Sequence, residues 1–247
     1  MKLLLFDIDG TLVKPIGSGR EHIEYVLGKL CGKPISTEGV AFSGRTDPQI
    51  LEETLLLAGF GPKQVSDLLP DALAHYTDHA TYASHEVHPS DGVRALLEHL
   101  RNIETVQLAL LTGNVRLTAY RKLAAARMDH LFPFGAFGCD HADRNRLPAI
   151  AAARALEYCG KVFPGHEIVI IGDSVHDVTC GLDIGALSVA VATGFTSYQD
   201  LRSANPDVLL RDLTDIDLFC NQIGINKQPG IKKNSYTTGN LCGRTVH

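Results

Sequence analysis

The sequence predicts an α/β protein built on a parallel sheet, with an all-helical unit inserted behind its first strand. Three observations predict it. From residue 89 onward, short apolar runs alternate with helical stretches, the pattern of a sheet covered by helices on both faces. Residues 14–88 carry helical spacing and no buried-strand pattern. Finally, three apolar runs end abruptly on small polar clusters, and parallel sheets bind ligands beyond the carboxyl ends of their strands.

Leu3 to Phe6 is a continuous apolar run and reads as a strand buried on both faces. In the inserted stretch, Ile23, Val26, Leu27 and Leu30 mark a helix from Arg20 to Leu30. Thr46-Asp47-Pro48 reads as a helix start, with Asp47 as N-cap and Pro48 at the first helical position. Ile50, Leu51, Thr54, Leu55 and Ala58 continue that face until Gly59. Gly61-Pro62 begins a helix towards Leu69, and another is expected from Asp71 to Tyr82.

Beyond Pro89 the expected order is helix Asp91–Arg101, strand Val106–Leu111, helix Val115–Arg127, a short extended piece Gly135–Gly138 and helix Leu147–Tyr158. Strand Glu167–Ile171 follows, then helix Val175–Ile184 stopped by Gly185. Strand Ser188–Ala192, helix Tyr198–Ser203 and strand Val208–Leu210 complete the pattern. The stretch from Asn226 is rich in Gly, Lys, Asn and Thr and has no periodicity. These readings give a core of residues 1–13 and 89–220, a helical unit of residues 14–88 and a tail of residues 221–247 expected to be disordered.

With 247 residues, 45% hydrophobic and 21% charged, the chain can bury a sizeable core. A net charge of −5 argues against nucleic acid as partner. No apolar run has the length of a membrane span, and the apolar residues before Asp7 are too few for a signal peptide. No membrane partner and a cytoplasmic location are therefore expected. The six cysteines are scattered without a Cys-x-x-Cys, which favours reduced structural thiols. His75 and His79 stand four apart with His85 and His88 nearby, but no carboxylate or cysteine accompanies them at ligand spacing. They read as a solvated helix face.

The first polar cluster is Asp7-Ile8-Asp9-Gly10-Thr11. Residues two apart in an extended segment share a side, so both carboxylates can reach one site unless the backbone turns there. The second is Thr112-Gly113-Asn114, opening a helix. The third is Gly172-Asp173-Ser174-Val175-His176-Asp177, also opening a helix. In a parallel sheet the three strand ends lie on one edge and gather four carboxylates, a hydroxyl and two glycine-containing helix entries. That set suits a phosphate with a divalent cation. Carboxylates and carbonyls suit Mg²⁺, and N–H groups at helix starts bind phosphate oxygens. Without a cation the carboxylates would repel an anionic substrate.

These clusters resemble the motifs of the haloacid dehalogenase superfamily. Asp7-x-Asp9-Gly10-Thr11 is similar to its first motif, Thr112 to its second, and Gly172-Asp173 with Asp177 to its fourth. The likeness covers residues 1 to about 220 and is greatest to phosphoglycolate-phosphatase-like hydrolases with a helical cap between the first two motifs. It implies a Rossmann-like core and Mg²⁺-dependent hydrolysis of a small phosphorylated metabolite, phosphoglycolate-like, by a monomer or homodimer. Asp7 would be the nucleophile and form an aspartyl phosphate, and Asp9 the general acid and base. Asp7, the Asp9 carbonyl and Asp173 would hold the metal, with Asp177 ligating through water or orienting its neighbours. Thr112, Gly113 and Asn114 would bind the phosphoryl oxygens.

The acid at Asp9 favours phosphate-ester hydrolysis or a sugar phosphomutase over dehalogenation. A non-catalytic binding module is the remaining alternative. The chain departs from the family at the third motif, Asp143-Arg144-Asn145-Arg146-Leu147-Pro148. There Arg144 is the chosen cation and Arg146 the alternative. In the insert, Phe42-Ser43-Gly44-Arg45-Thr46-Asp47 resembles the cap segment facing the active site, so Arg45 would pair with a substrate carboxylate or second phosphate. Gly17-Ser18-Gly19 would be a hinge for closure.

Overall fold

A computed structural model describes residues 1–15, 19–80 and 86–225. The expected hinge residues Gly17 and Ser18, His85, the helix end at Tyr82 and the tail from Asn226 lie outside the described residues.

Strand β1 (Lys2–Phe6) is central to a six-stranded sheet of order β3-β2-β1-β4-β5-β6. The other strands are β2 (Val106–Leu111), β3 (Gly135–Ala136), β4 (Ile168–Gly172), β5 (Leu187–Val191) and β6 (Val208–Leu210); β1 pairs with β2 and β4, and every pairing in the sheet is parallel. Phe6 pairs with Leu110 on one side and Ile171 on the other. The ends of β1, β2 and β4, three adjacent strands, therefore stand level at one edge.

Strand alternation splits β1 between two cores. Leu4 and Phe6 join one with Leu96, Leu97, Leu123 and Phe219. Leu3 and Leu5 join the other with Leu147, Ala151 and Ala155. Helices α4 (Val93–Arg101), α5 (Arg116–Ala125) and α9 (Ile216–Gln222) contribute to the first, α6 (Leu147–Cys159) to the second. The two cores thus enclose β1 from both sides, as the apolar run predicted.

Between β1 and β2 the chain forms α1 (Gly19–Cys31), α2 (Asp47–Leu57) and α3 (Pro62–His79). They bury a separate cluster of Ile23, Val26, Leu27, Leu51, Leu55, Val65 and Tyr76. Val115, the residue before α5, belongs to that cluster, so the insert is joined to the sheet at the end of β2.

Four local expectations change. Thr46, not Asp47, is the N-cap of α2: its backbone is extended (φ −87°, ψ 149°), and it forms a reciprocal capping box with Gln49. The two helices expected on either side of Pro70 are one helix, α3. Val65, Ala72 and Tyr76 pack one face of it, and that burial outweighs the hydrogen bond Pro70 cannot make. The helix expected over Val175–Ile184 stops as α7 (Val175–Thr179), then gives one short 3₁₀ turn at Leu182–Ile184. Between them Gly181 sits where a Cβ would meet Ile170 Cδ1 at 2.5 Å, so the chain is drawn against β4. Finally, α9 crosses residue 220, and Ile223 and Ile225 are buried in the core, so residues 221–225 are packed structure rather than tail. Helix α8 (Tyr198–Ser203) lies as expected. Among the described residues no helix is long and apolar enough to cross a membrane.

Thr46 also ties the insert to the sheet domain, because its Oγ1 donates to the Ala142 carbonyl at 2.9 Å while accepting from Gln49 N. Thr46→Ala is expected to lower stability by about 1–3 kcal/mol, read as an earlier urea midpoint. Thr46→Ser should recover most of that loss, and a midpoint equal to wild type in the alanine variant would remove Thr46 as a tie.

Candidate active site

Immediately after β1 the backbone turns. Ile8 O accepts from Thr11 N (3.3 Å) and Val13 N (2.9 Å), and Gly10 N donates to Val13 O at 2.8 Å. Gly10 has φ +83°, and a Cβ there would stand 2.5 Å from an Asp173 oxygen, so conformation and space both require glycine. The turn parts the two acids. Asp7 faces Arg144, while Asp9 accepts from Lys122 Nζ on both oxygens (2.8 and 2.7 Å) and from Asn114 Nδ2 (2.7 Å). A plain extended pair sharing one side does not describe them.

Asp7, Asp173 and Asp177 offer one oxygen each within 4.8 Å of one another, and all three are buried. Arg144, itself buried, lies 3.3 Å from Asp7 Oδ1 and donates a short hydrogen bond to Asp177 Oδ1. Asp177 Oδ2 accepts from Ser174 N (3.0 Å) and Ser174 Oγ (2.6 Å), so both its oxygens are engaged. Asp177 is thus a holder of Arg144 and of the α7 N-terminus. Asp173 accepts only a long bond from Thr11 Oγ1, 3.4 Å, among the described residues. Arg146 is exposed, so Arg144 is the third-motif cation that reaches the cluster.

Burial pushes the Asp7 carboxyl up to about 7, against the opposing pull of Arg144 and with the repulsion of Asp177 and Asp9. Burial, then the neighbouring charge of Asp7 and Asp177, pushes Asp173 to about 8. Arg144 is raised by Asp177 and Asp7 in spite of its own burial and stays charged. One arginine does not neutralise this donor set. Buried carboxylate oxygens crowded this way fit a divalent hard cation, with Asp7 and Asp173 as the available side-chain ligands. The Asp9 carboxylate is not part of the cluster.

At the end of β2, Thr112 Oγ1 accepts from Asn114 N (3.3 Å) and Asn114 Nδ2 (2.9 Å). Gly113 is pinned between chains: a Cβ would lie 2.1 Å from Arg45 O, and Asp47 N donates to Gly113 O at 2.8 Å. Asp47 is buried. It accepts from Val115 N at 2.8 Å and from the Tyr76 hydroxyl at 3.4 Å, and burial first of all raises its carboxyl to about 6. Arg45 pairs with Glu53 at 2.9 Å. His75 and His79 are exposed, with ring centroids 6.1 Å apart.

Asp7, Asp9, Arg45, Thr112, Gly113, Asn114, Arg144 and Asp173 all line one cavity of about 420 Å³ between the strand ends and the inserted helices. Asp177 stands behind them. Lys122 was not singled out from the sequence, although it lines the cavity and holds Asp9 and Asn114 Oδ1 (2.7 Å). A signal existed: Thr118, Ala119, Lys122 and Leu123 form the buried stripe of α5, and a lysine on such a stripe requires a carboxylate. Asp47 was read only as a cap, and its charge-bearing role left no trace in spacing.

The model of the haloacid dehalogenase-like hydrolases matches residues 4–191. The phosphoglycolate phosphatase of Pseudomonas putida is 27% identical over 216 residues, covering 86% of this chain and 77% of that protein. That of Haemophilus influenzae is 26% identical over 228 residues, covering 87% and 96%. A solved protein of Haemophilus somnus, described as a predicted phosphoglycolate phosphatase, superimposes with a TM-score of 0.68 at 20% identity, covering 89% of this chain and 97% of the other.

Asp7 and Asp173 keep protons in the metal-free folded protein that the unfolded chain releases near a pH of about 4. The folded state therefore binds more protons up to about pH 8, so this contribution to stability is lost as pH rises through about 7 and 8. The thermal midpoint of metal-free protein is expected to fall between about pH 4.5 and pH 8 and to level off above that, and Asp173→Asn should flatten that fall. A midpoint that rises over this range would contradict the acid cluster as described.

Proposed function

The chain belongs to the haloacid dehalogenase-like hydrolases, and from that premise we propose that it is a Mg²⁺-dependent phosphatase acting on a small phosphomonoester through an aspartyl-phosphate intermediate. The observation that carries the reading is the grouping of buried Asp7 with Asp173, Asp177 and Arg144 at the carboxyl edge of the sheet. Asp7, Asp173 and the backbone carbonyl of Asp9 would hold the metal, which when bound neutralises charge on the phosphoryl group and on Asp7.

In the first step an Asp7 oxygen attacks phosphorus and the bond from phosphorus to the alcohol oxygen breaks. Asp9 gives its proton to the departing alkoxide. In the second step water attacks phosphorus, Asp9 takes the proton of that water, and the bond to Asp7 breaks. Alcohol and phosphate are released. Arg144 holds Asp7 in line and offsets the charge of the intermediate. Thr112, Gly113 and Asn114 bind the phosphoryl oxygens at the second strand end. Residues 14–88 act as a cap over the core, keeping bulk water from the intermediate. The Asp9 carboxylate is turned away from the metal cluster, towards Lys122 and Asn114, which leaves it free of metal coordination for proton transfer while its backbone carbonyl would face the metal.

Phosphate release from a panel of phosphomonoesters should require Mg²⁺ and stop with EDTA. Phosphoglycolate, the substrate in the relatives' names, belongs in that panel. Asp7→Asn should lower turnover by roughly 10⁴-fold or more while the protein still folds and unfolds cooperatively. Arg144→Ala should lose about 10²–10³-fold and Arg146→Ala little. Absence of phosphate release from every ester with Mg²⁺ present would end the phosphatase reading. Conversion of a sugar phosphate without release would point to a mutase.

The same cation test has a readout apart from turnover. Because Mg²⁺ competes with protons on Asp7 and Asp173, the stabilisation it gives should be larger at about pH 8.5 than at about pH 6. Equal shifts of the thermal midpoint at both pH values would remove these two residues as its ligands.

A further inference from the structure

The cavity that holds the acids continues well past them, and its far part differs in character. Ile23 and Tyr25 of α1, Phe42, Ile50 of α2, Tyr76 of α3 and Phe195 from the loop after β5 all line it. Ile23, Ile50 and Tyr76 are buried, and the Tyr76 hydroxyl is committed to Asp47. Tyr25, on the insert, and Phe195, on the sheet domain, are large apolar side chains that line the cavity and stay 54% and 76% exposed. At about 420 Å³ the space lies in the range of roughly 300–1,000 Å³ typical of sites for drug-sized ligands, far beyond the needs of a phosphoryl group on two carbons.

The charges along the cavity point the same way. Its arginines and lysine are already matched, Arg144 with Asp7 and Asp177, Lys122 with Asp9, and Arg45 with Glu53, and the His22 Nε2 that also lines it lies 3.2 Å from the Tyr76 carbonyl. Two further carboxylates, Glu21 and Asp47, line it as well. A substrate carboxylate in the far part would meet these acids and would have to take Arg45 from Glu53. An uncharged ring meets aromatic and aliphatic walls and displaces water from them.

Resting on the phosphatase reading above, we propose that the alcohol half of the substrate is an uncharged apolar group of aromatic size, so that the enzyme hydrolyses arylalkyl-type phosphomonoesters in preference to phosphoglycolate. The ring lies between the inserted helices and Phe195, with the ester oxygen directed to Asp9.

The experiment compares kcat/KM of the full-length, Mg²⁺-loaded protein for 2-phenylethyl phosphate, ethyl phosphate and phosphoglycolate. All three are primary alkyl esters, so the reacting linkage is the same and the distal group differs. The expected result is at least about a tenfold advantage for the phenylethyl ester over both others, roughly what burying a few methylenes' worth of apolar surface gives. Tyr25→Ala and Phe195→Ala, at exposed positions where folding is not at stake, should each cut the ratio of phenylethyl to ethyl ester at least about threefold. Phosphoglycolate turned over as well as or better than the phenylethyl ester would overturn the inference and leave the phosphatase standing, as would a ratio unmoved in both variants. Selective loss of phosphoglycolate turnover in Arg45→Ala would equally overturn it, by showing Arg45 free to take a carboxylate. No turnover of any of the three overturns the inference, and the wider phosphomonoester panel then decides whether the phosphatase reading stands.

Discussion

Three carboxylates lie within 4.8 Å of one another at the buried edge of the sheet, and the rest of the structure is arranged around that repulsion. Bringing such charges out of water costs several kcal/mol each unless partners are supplied. The fold supplies one arginine in contact with Asp7 and Asp177, a serine hydroxyl and its N–H on Asp177, and glycines where a side chain would collide with Asp173. Gly194 belongs to the same enclosure, since a Cβ there would fall 1.7 Å from an Asp173 oxygen. What the protein leaves uncompensated is the site's capacity for a cation. A parallel sheet makes this possible, because neighbouring strand ends stop level and are held rigid by their ladders.

The acids are sorted by how each is held. Asp177 is saturated by hydrogen bonds and serves as structure. Asp7 and Asp173 have few donors and carry raised carboxyls. Asp9, two residues from Asp7 in the chain, is turned to a different cation altogether. One short motif therefore places two carboxylates in two electrostatic environments, and the device is the Ile8–Val13 turn with Gly10 at positive φ.

That sorting also explains what could be read in the sequence. Strand ends, Gly-Thr and Gly-Asp turns and helix entries are local, so the acidic edge and the helical insert were legible from spacing, whereas Thr112 stood out only through the family resemblance. Partners across long sequence distances were not. Lys122 reaches Asp9 over 113 residues, and the Thr46 hydroxyl reaches Ala142 over 96. Arg144 and Arg146 are indistinguishable as letters; only the 3₁₀ turn ahead of α6 buries one and exposes the other. Pro70 misled because the breaking tendency of proline is a local property, while the burial that keeps α3 continuous comes from α1 and α2.

The insert's attachment carries a consequence for how the site works. Residues 45–47 touch the loop after β2 through Arg45 O against Gly113, Asp47 N on Gly113 O and the Asp47 carboxylate on Val115 N, while Thr46 bonds to Ala142. Those contacts grip the same loop whose Thr112 and Asn114 would, on the proposed function, shape the phosphoryl end. Withdrawing the inserted helices from the sheet would expose a buried Asp47 and free Gly113 at once. Access to the apolar part of the cavity and the form of the phosphoryl end are thus coupled through three consecutive residues. A substrate group filling the space beneath Phe42, Ile50 and Tyr76 would add contact to the arrangement in which Gly113 is pinned. Binding energy from the distal group is thereby available for organising the reacting end, which is how a remote part of a substrate raises kcat rather than only lowering KM.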